Sequence, residues 1–310
     1  RFRNVTGVQT CALPIYSLLI AGSIAIDLIE TPQDKRNAIL GGSITHALIP
    51  SGKRVSVFPV GIIGSDFPDE GMDIYNSYSE SLENIQQVVG QTFRWGGRYH
   101  ENWDKRDTLF TELGVFEDYQ PVISKSACDA DVIFLANIHP ALQLSVLKQC
   151  SKAQTVITDS MNLWIDIAKD ELLTVLQQTN ILLINEEEAQ QLTSQKNLNK
   201  AASHMLELGP DTVIIKKGSR GSAIFTTEDC TCIPAVSGVS VVDPTGAGDT
   251  FGGGMAASLV LGESLVNAVS DGTAWASTCV EGFGIANTLL AKREEINQRK
   301  RNVLSGVSTC

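Results

Sequence analysis

The stretch that most constrains this chain is Val239–Leu259, Val-Ser-Val-Val-Asp-Pro-Thr-Gly-Ala-Gly-Asp-Thr-Phe-Gly-Gly-Gly-Met-Ala-Ala-Ser-Leu. The β-branched run Val239–Val242 predicts a strand, Pro244 stops it, Gly246-Ala247-Gly248 makes a tight turn, and Thr250–Val260 predicts a helix of mostly small residues. A helix N-terminus presents unpaired N–H groups and a partial positive charge, a natural seat for a phosphate or a developing anion. Glycines let a ligand approach those amides. Asp249 is the odd member, because a carboxylate in an anion-binding turn repels a bound phosphate. It makes sense as a base beside the phosphate, placed to take a proton from an attacking hydroxyl. Two blander readings compete. Thr245 or Asp249 could cap the helix while the glycines only permit close packing. A dinucleotide-binding turn would need G-x-G-x-x-G, whereas Gly246, Gly248 and Gly252 are spaced G-x-G-x-x-x-G, late in the chain and with Asp249 facing the pyrophosphate.

The run Asp-Pro-Thr-Gly-Ala-Gly-Asp-Thr-Phe-x-Gly-Gly resembles the C-terminal signature of the ribokinase-like (PfkB) carbohydrate and nucleoside kinases. Upstream, Leu40-Gly41-Gly42-Ser43-Ile44-Thr45-His46-Ala47-Leu48 resembles that family's first signature, with His46 where many members have Asn. Gly61-Ile-Ile-Gly64-Ser65-Asp66 resembles its strand-then-G-x-x-G-x-D turn, after a strand at Val55–Val60 and before a helix at Phe67–Glu80. Asn185 and Glu188 match the family's N-x-x-E motif. Lys216-Lys217-Gly218-x-x-Gly221 resembles its nucleotide loop, and Glu281-Gly-Phe-Gly284 the loop flanking the adenine. The resemblance runs from about Leu18 to Arg299, with the motifs in the expected order. No Walker A sequence, G-x-x-x-x-G-K-[ST], occurs, which argues against the P-loop kinases.

The resemblance implies an ATP-dependent kinase that phosphorylates a hydroxymethyl group of a small sugar, or alternatively a nucleoside of the inosine, guanosine or adenosine type. It implies Asp249 as general base and the amides of Gly246, Ala247 and Gly248 as the anion hole. Asp27, Gly41, Gly42, Arg98 and Asn137 are the implied substrate contacts. Asn185, Glu188, Lys216, Gly218 and Gly221 are the implied nucleotide contacts, with Glu188 placing Mg2+ through water and phosphate. Asp243, with Thr245, is the implied site of a monovalent cation such as K+. A non-catalytic sugar-binding protein of the same fold is the reading from another class, and the intact Asp249 and Gly246–Gly248 speak against it.

Along the chain, apolar strand, polar turn and amphipathic helix recur: Ser17–Ala21, then Val132–Ala136, Thr155–Thr158, Ile181–Ile184 and Thr212–Lys216, the last four followed by turns bearing Asn137, Asp159 and Asn162, Asn185, and Lys217-Gly218. That pattern predicts an α/β fold, a three-layer sandwich with a mostly parallel central sheet, and it puts those turns at one ligand-binding edge. Asp27 follows the first apolar run at the same edge. Residues 28–39 read as a loop or small hairpin. Residues 91–115 alternate aromatic and polar side chains around Gly96-Gly97 and read as strands outside the main sheet. Together they predict an inserted β lid, which in this family covers the sugar and often supplies a homodimer interface. Arg94, Arg98, Tyr99 and His100 are its candidate substrate contacts, while Phe93, Trp95 and Tyr99 could equally form its own core. Gly262–Glu281 and Ala291–Arg301 read as closing helices. The domain is expected over 17–303, with a loose tail at 304–310.

Residues 1–16 stand apart. Val5–Ile15 reads as translated adapter sequence rather than a secretory leader, because no polar cleavage region separates it from Gly22–Asp27. Net charge is −11, from 24 basic and 35 acidic residues without a basic cluster, which disfavours nucleic acid and membrane as partners; the resemblance implies a small-molecule sugar or nucleoside instead. The seven cysteines, irregularly spaced, predict reduced thiols in a cytoplasmic protein. Cys230-Thr-Cys232 lacks the second Cys or His pair that a metal site needs.

Overall fold

Period-two alternation along each strand builds the core. In the computed structural model, which describes residues 17–310 apart from 104–105, 151–152 and 154, the first strand β1 (Ser17–Ala21) sends Leu18 and Ile20 to one face and Leu19 and Ala21 to the other. The expected leader at 1–16 lies outside the described residues. The remaining strands are β2 (Ala25–Glu30), β3 (Lys35–Gly41), β4 (Ser56–Gly64), β5 (Ile85–Val88), β6 (Phe93–Tyr99), β7 (Arg106–Glu112) and β8 (Val132–Leu135). They continue with β9 (Thr155–Asp159), β10 (Ile181–Asn185), β11 (Thr212–Lys216), β12 (Ser222–Phe225), β13 (Cys230–Ile233) and β14 (Ser308–Thr309).

The main sheet runs β14-β13-β12-β11-β10-β9-β8-β1-β4-β5, parallel from β11 to β5 and antiparallel at the β12–β14 end. On one face Leu18, Ile20 and Leu183 pack against Ala47 and Leu48 of the helix Ser43–Gly52 and Phe251 and Met255 of the helix Ala247–Val260. On the other, Leu19 and Ala21 meet Val146, Leu147 and Val175, and Leu182 and Ile184 meet Ala189, Leu192 and Met205. This is the expected three-layer α/β sandwich. Each fully buried leucine of this kind contributes about 1.5–3 kcal/mol relative to an exposed one.

A separate four-stranded sheet, β3-β2-β6-β7, forms the lid. It grows directly out of β1: only Gly22, Ser23 and Ile24 separate β1 from β2. The segment 28–39 belongs to the hairpin of β2 and β3, and β2 runs parallel to β6 with Asp27 opposite Trp95.

Several expectations are corrected. Val239–Val242 is not a strand. No strand is available beside it, and the Val242 and Asp243 N–H groups donate instead to the Val280 carbonyl at 2.7 and 3.2 Å. Gly61–Gly64 continues β4, pairing with β5, so the turn falls after Gly64. The tail is not loose: β14 pairs antiparallel with β13. The cysteines are not all free: Cys128 is bonded to Cys150 and Cys232 to Cys310, while Cys230 and Cys279 are free. Spacing along the chain carries no record of these pairs, because the partners lie 22 and 78 residues apart and meet only in the folded sheet. Among the described residues no helix is long and apolar enough to cross a membrane.

The helices Ser43–Gly52 and Ala247–Val260 touch through Gly253, where a Cβ would run into the Ala47 carbonyl, and the Ser51 hydroxyl donates to the Gly253 carbonyl at 2.9 Å. Gly253→Ala adds about 1 kcal/mol of helix propensity and forces two backbones apart, an overpacking cost of about 1–3 kcal/mol. The clash is with backbone and cannot relax by rotation, so net destabilisation is expected. A urea midpoint at or above wild type would refute this.

Candidate active site

Asp243 organises the turn before the helix Ala247–Val260. Its Oδ1 accepts from the Thr245 N–H at 2.9 Å and its Oδ2 from the Gly284 N–H at 3.2 Å. The chain then passes through Gly246, whose φ of 73° is the left-handed conformation that glycine adopts without strain. The helix begins at Ala247, three residues earlier than the residue pattern predicts, which puts Asp249 in its first turn. A Cβ on residue 246 would penetrate the His46 ring, so the glycine is also required for space. The Ala247 N–H turns back to the Pro244 carbonyl at 3.3 Å, while the first turn keeps the Gly248 N–H for a ligand. Of the expected three-amide anion hole, Ala247 is therefore already engaged.

Three carboxylates converge here. Asp27, on β2, is buried, and its Oδ1 has no hydrogen-bond partner. Burial, reinforced by the charges of Asp243 and Asp249, pushes its pKa up to about 8, against the Gly42 N–H and the Arg106 guanidinium. Gly41 makes room for it, since a Cβ there would collide with the Asp27 carboxyl. Gly42, with φ of 88°, caps the helix that follows. Asp249 is raised to about 7 by burial and by Asp159, against the pull of Lys216. An unpartnered buried oxygen on Asp27 and a carboxyl poised near neutrality on Asp249 suit a hydroxyl that is to be held and deprotonated.

The nucleotide-side residues assemble on neighbouring strand ends. Asn185 and Glu188 form a reciprocal capping box: the Glu188 N–H donates to Asn185 Oδ1 and the Asn185 N–H to Glu188 Oε2, both at 2.9 Å. Burial lifts Glu188 to about 7, Lys216 pulling it down and Asp159 pushing it up. Lys216 is not free in this structure. Its Nζ donates to both oxygens of Asp159 at 2.9 Å. Burial disfavours the ammonium, but Asp159 and Glu188 outweigh it and raise its pKa. Gly218 and Gly221, with φ of 55° and 82°, shape the turn after β11, closed by the Lys217 N–H on the Gly221 carbonyl at 2.8 Å.

On the lid, four expected contacts separate. Arg98 points outward to Glu30 at 2.7 Å, Arg94 pairs with Asp66 at 2.8 Å, and His100 pairs with Asp107 at 2.9 Å. Only Tyr99 turns inward, where its hydroxyl accepts from Thr245 Oγ1 at 3.1 Å. Arg98 as a substrate contact is thereby corrected: β6 alternates without interruption through Tyr99, so Arg98 faces away from the side that Tyr99 faces. The lid cation that bears on the site is Arg106, which residue types alone did not single out. Its guanidinium stacks 4.9 Å from the centre of the Trp95 ring and lowers the pKa values of Asp27, Glu188 and Asp249. Its signal in the sequence was position, the start of the lid's second strand opposite Tyr99.

Asn137 lies at the end of β8 with its Oδ1 accepting from Trp164 Nε1 at 2.8 Å and its Nδ2 on Met161 Sδ at 3.3 Å. His46 is buried against the Gly246 turn and kept neutral, its pKa lowered to about 4 by burial. It supports the turn where an Asn was the expected sugar contact. The Glu281–Gly284 loop meets Asp243 through Gly284 and the lid through Phe283, whose ring lies 5.4 Å under the Arg36 guanidinium.

The chain is similar to known proteins. Residues 112–292 match the family model described as pfkB family carbohydrate kinase. A cytidine kinase from Thermococcus kodakarensis is 26% identical over 86% of this chain and 97% of that protein. A ribokinase from Haemophilus influenzae is 31% identical over 86% of this chain and 89% of that protein. The structure of Arabidopsis thaliana ribokinase complexed with ribose and ATP superposes with a TM-score of 0.74 at 22% identity, covering 92% of this chain and 98% of that one.

The raised carboxyls have a thermodynamic consequence. Between the ordinary value of 3.8 and about 8, native Asp27 holds a proton that the unfolded chain releases. The native state then binds more protons, so stability falls as pH rises through that window. Thermal midpoints of wild type and Asp27→Asn at about pH 5 and about pH 8 should show the variant losing less on going to the higher pH. Equal losses would mean that native Asp27 is already ionised at the lower pH.

Proposed function

Because this chain belongs to the pfkB family of carbohydrate kinases, we propose that it transfers the terminal phosphoryl group of ATP to a hydroxymethyl group of a small sugar, with Asp249 as general base. The observation that carries the reading is Asp249 in the first helical turn beside the open Gly248 amide, its pKa lifted to about 7. A base of that pKa is about half ionised near neutral pH and can take a hydroxyl proton as the attack proceeds.

Asp27 Oδ1 accepts the substrate hydroxyl, and Gly41 and Gly42, before the helix Ser43–Gly52, are assigned to the same substrate. Asp249 removes the proton while the oxygen–phosphorus bond forms. The bond to the bridging oxygen breaks in line, and ADP leaves. The amides of Gly246 and Gly248 and the Lys216 ammonium face the charge that spreads over the phosphoryl oxygens. Bound Mg2+ supplies charge neutralisation on the phosphates, with Asn185 and Glu188 as the residues that hold it through water. The turn of Gly218 and Gly221 lies along the nucleotide. Asp243 is assigned to a monovalent cation such as K+, and Asn137 to a sugar hydroxyl. On this reading the protein is assigned to the cytoplasm, where ATP is supplied.

A second acceptor class is favoured by one observation, the cytidine kinase matched over nearly its whole length. A nucleoside carries the same hydroxymethyl group on its ribose, so the chemistry at Asp249 is unchanged. A panel of sugars and nucleosides, read by ADP release, separates the two: turnover of nucleosides alone would overturn the sugar reading.

Asp249→Asn should lower kcat by about 10²–10⁴-fold, the range for loss of a general base, without moving the thermal midpoint downward. Activity within tenfold of wild type would sink the assignment of the base. Arg106→Ala should raise KM for the acceptor, whereas Arg98→Ala should leave it unchanged, a contrast that steady-state kinetics reads directly.

A further inference from the structure

Asp159 takes no part in the transfer as described above, yet it is the closest partner of the lysine that does. It ends β9, Lys216 ends β11, and β10 lies between them. The lysine therefore reaches across the end of β10 to form its two 2.9 Å bonds. Asp159 is itself fixed. Its Oδ1 accepts from the Ser160 N–H at 3.0 Å, and its carbonyl accepts from the buried Gln143 Nε2 at 3.1 Å. The ammonium held this way rests against the anion-binding turn: a Cβ on Gly248 would lie 3.4 Å from Lys216 Nζ.

We propose that Asp159 is a positioning residue whose two-oxygen grip holds the Lys216 ammonium against Gly248, where it meets the terminal phosphate of a nucleoside triphosphate. The inference rests on the nucleotide reading of this edge. A lone carboxylate among Asp249 and Glu188 would repel phosphate. Paired with Lys216 it becomes a dipole with its positive end toward the turn, so the anion meets a cation rather than a third negative charge. Without Asp159 a flexible four-carbon stem would have to hold the charge alone, in a place where burial disfavours it. The groups facing that ammonium are Asp159 on β9, Glu188 at the start of the helix Glu186–Thr193 and Asp249 at the start of the helix Ala247–Val260.

The test is the preference of the full chain for a triphosphate over a diphosphate, measured by calorimetry with Mg2+, AMP-PNP and ADP. Wild type should prefer AMP-PNP. Lys216→Met should lose that preference by roughly ten- to hundredfold, the worth of one charge-assisted hydrogen bond. Asp159→Asn should lose it to a similar degree while ADP binding persists, which also certifies the fold. The double variant should be no worse than Lys216→Met, because Asp159 acts only through the lysine. Should Asp159→Asn not fold, Asp159→Glu keeps the charge and displaces it by one methylene, and a reduced preference there supports the same conclusion. Unchanged preference in Asp159→Asn, additive losses in the double variant, or equal affinities in wild type would overturn the inference alone. Wild type that binds neither nucleotide would overturn the nucleotide reading itself.

Discussion

The site depends on one close approach between two helices. Gly253 lets the helix Ala247–Val260 lie against the Ala47 carbonyl, Gly252 lets it lie against Phe134, and at the N-terminal end Gly246 sits on the His46 ring. Any Cβ along that seam would separate the helices, and with them two N-termini that start at Gly42 and Gly246 on the same edge of the sheet. Small residues in this helix therefore serve position more than propensity. Three consecutive glycines, 252–254, weaken the helix intrinsically by about 1 kcal/mol each relative to alanine. Burial offsets that cost, since almost every residue from Thr250 to Val260 is buried.

The second constraint is electrostatic. Asp27, Asp243 and Asp249 approach each other closely enough for Asp27 to feel the other two charges. Water would screen such a cluster, but burial removes the water and raises each pKa instead. Opposing this are Lys216 from the strand edge and Arg106 from the lid, both of which lower Asp249. The base is thus held near neutrality by cations on two different elements. A carboxyl raised only by burial would be protonated and useless as a base, and one fully paired would be too weak to take a proton.

Much of this was legible in the residues, and the limits follow from what sequence records. Strands such as Ser17–Ala21 and Thr212–Lys216 were found at their observed bounds because alternation and β-branching are local properties. Val239–Val242 has the same composition and forms no strand, because a strand also needs a neighbour, and that is a tertiary fact. The β13–β14 pair and the disulfides of Cys128 and Cys232 fail to show for the same reason. Among site residues, Asp27, Gly246 and Asp249 lie in motifs whose local geometry forces their exposure to the edge. Arg98 and Arg106 do not. Both are arginines in a lid of alternating pattern; Arg98 meets Glu30 from the outer side of β6, while the extra residue Leu109 in β7 shifts the register before Arg106. Asp159 sits at a strand end like Asn137 and Asn185, and only the reach of Lys216 across β10 sets it apart.

The lid's attachment adds a last step. Asp27 belongs to β2, a lid strand, whereas Asp249 belongs to the helical layer. Only Gly22, Ser23 and Ile24 connect β2 to the core strand β1, and Ile24 is fully buried, so the root of the lid is fixed. Farther out, the lid is tied to the catalytic layer by Thr245 on Tyr99 and by Arg36 over Phe283. Both ties end on segments that also bind Asp243, through the Thr245 and Gly284 amides. Any displacement of the lid sheet is therefore felt at Asp243, and so at the turn that presents Gly246 and Gly248. The residue proposed to hold the hydroxyl and the residue proposed to deprotonate it thus sit on the lid and on the helical layer, both of which are tied to one buried carboxylate.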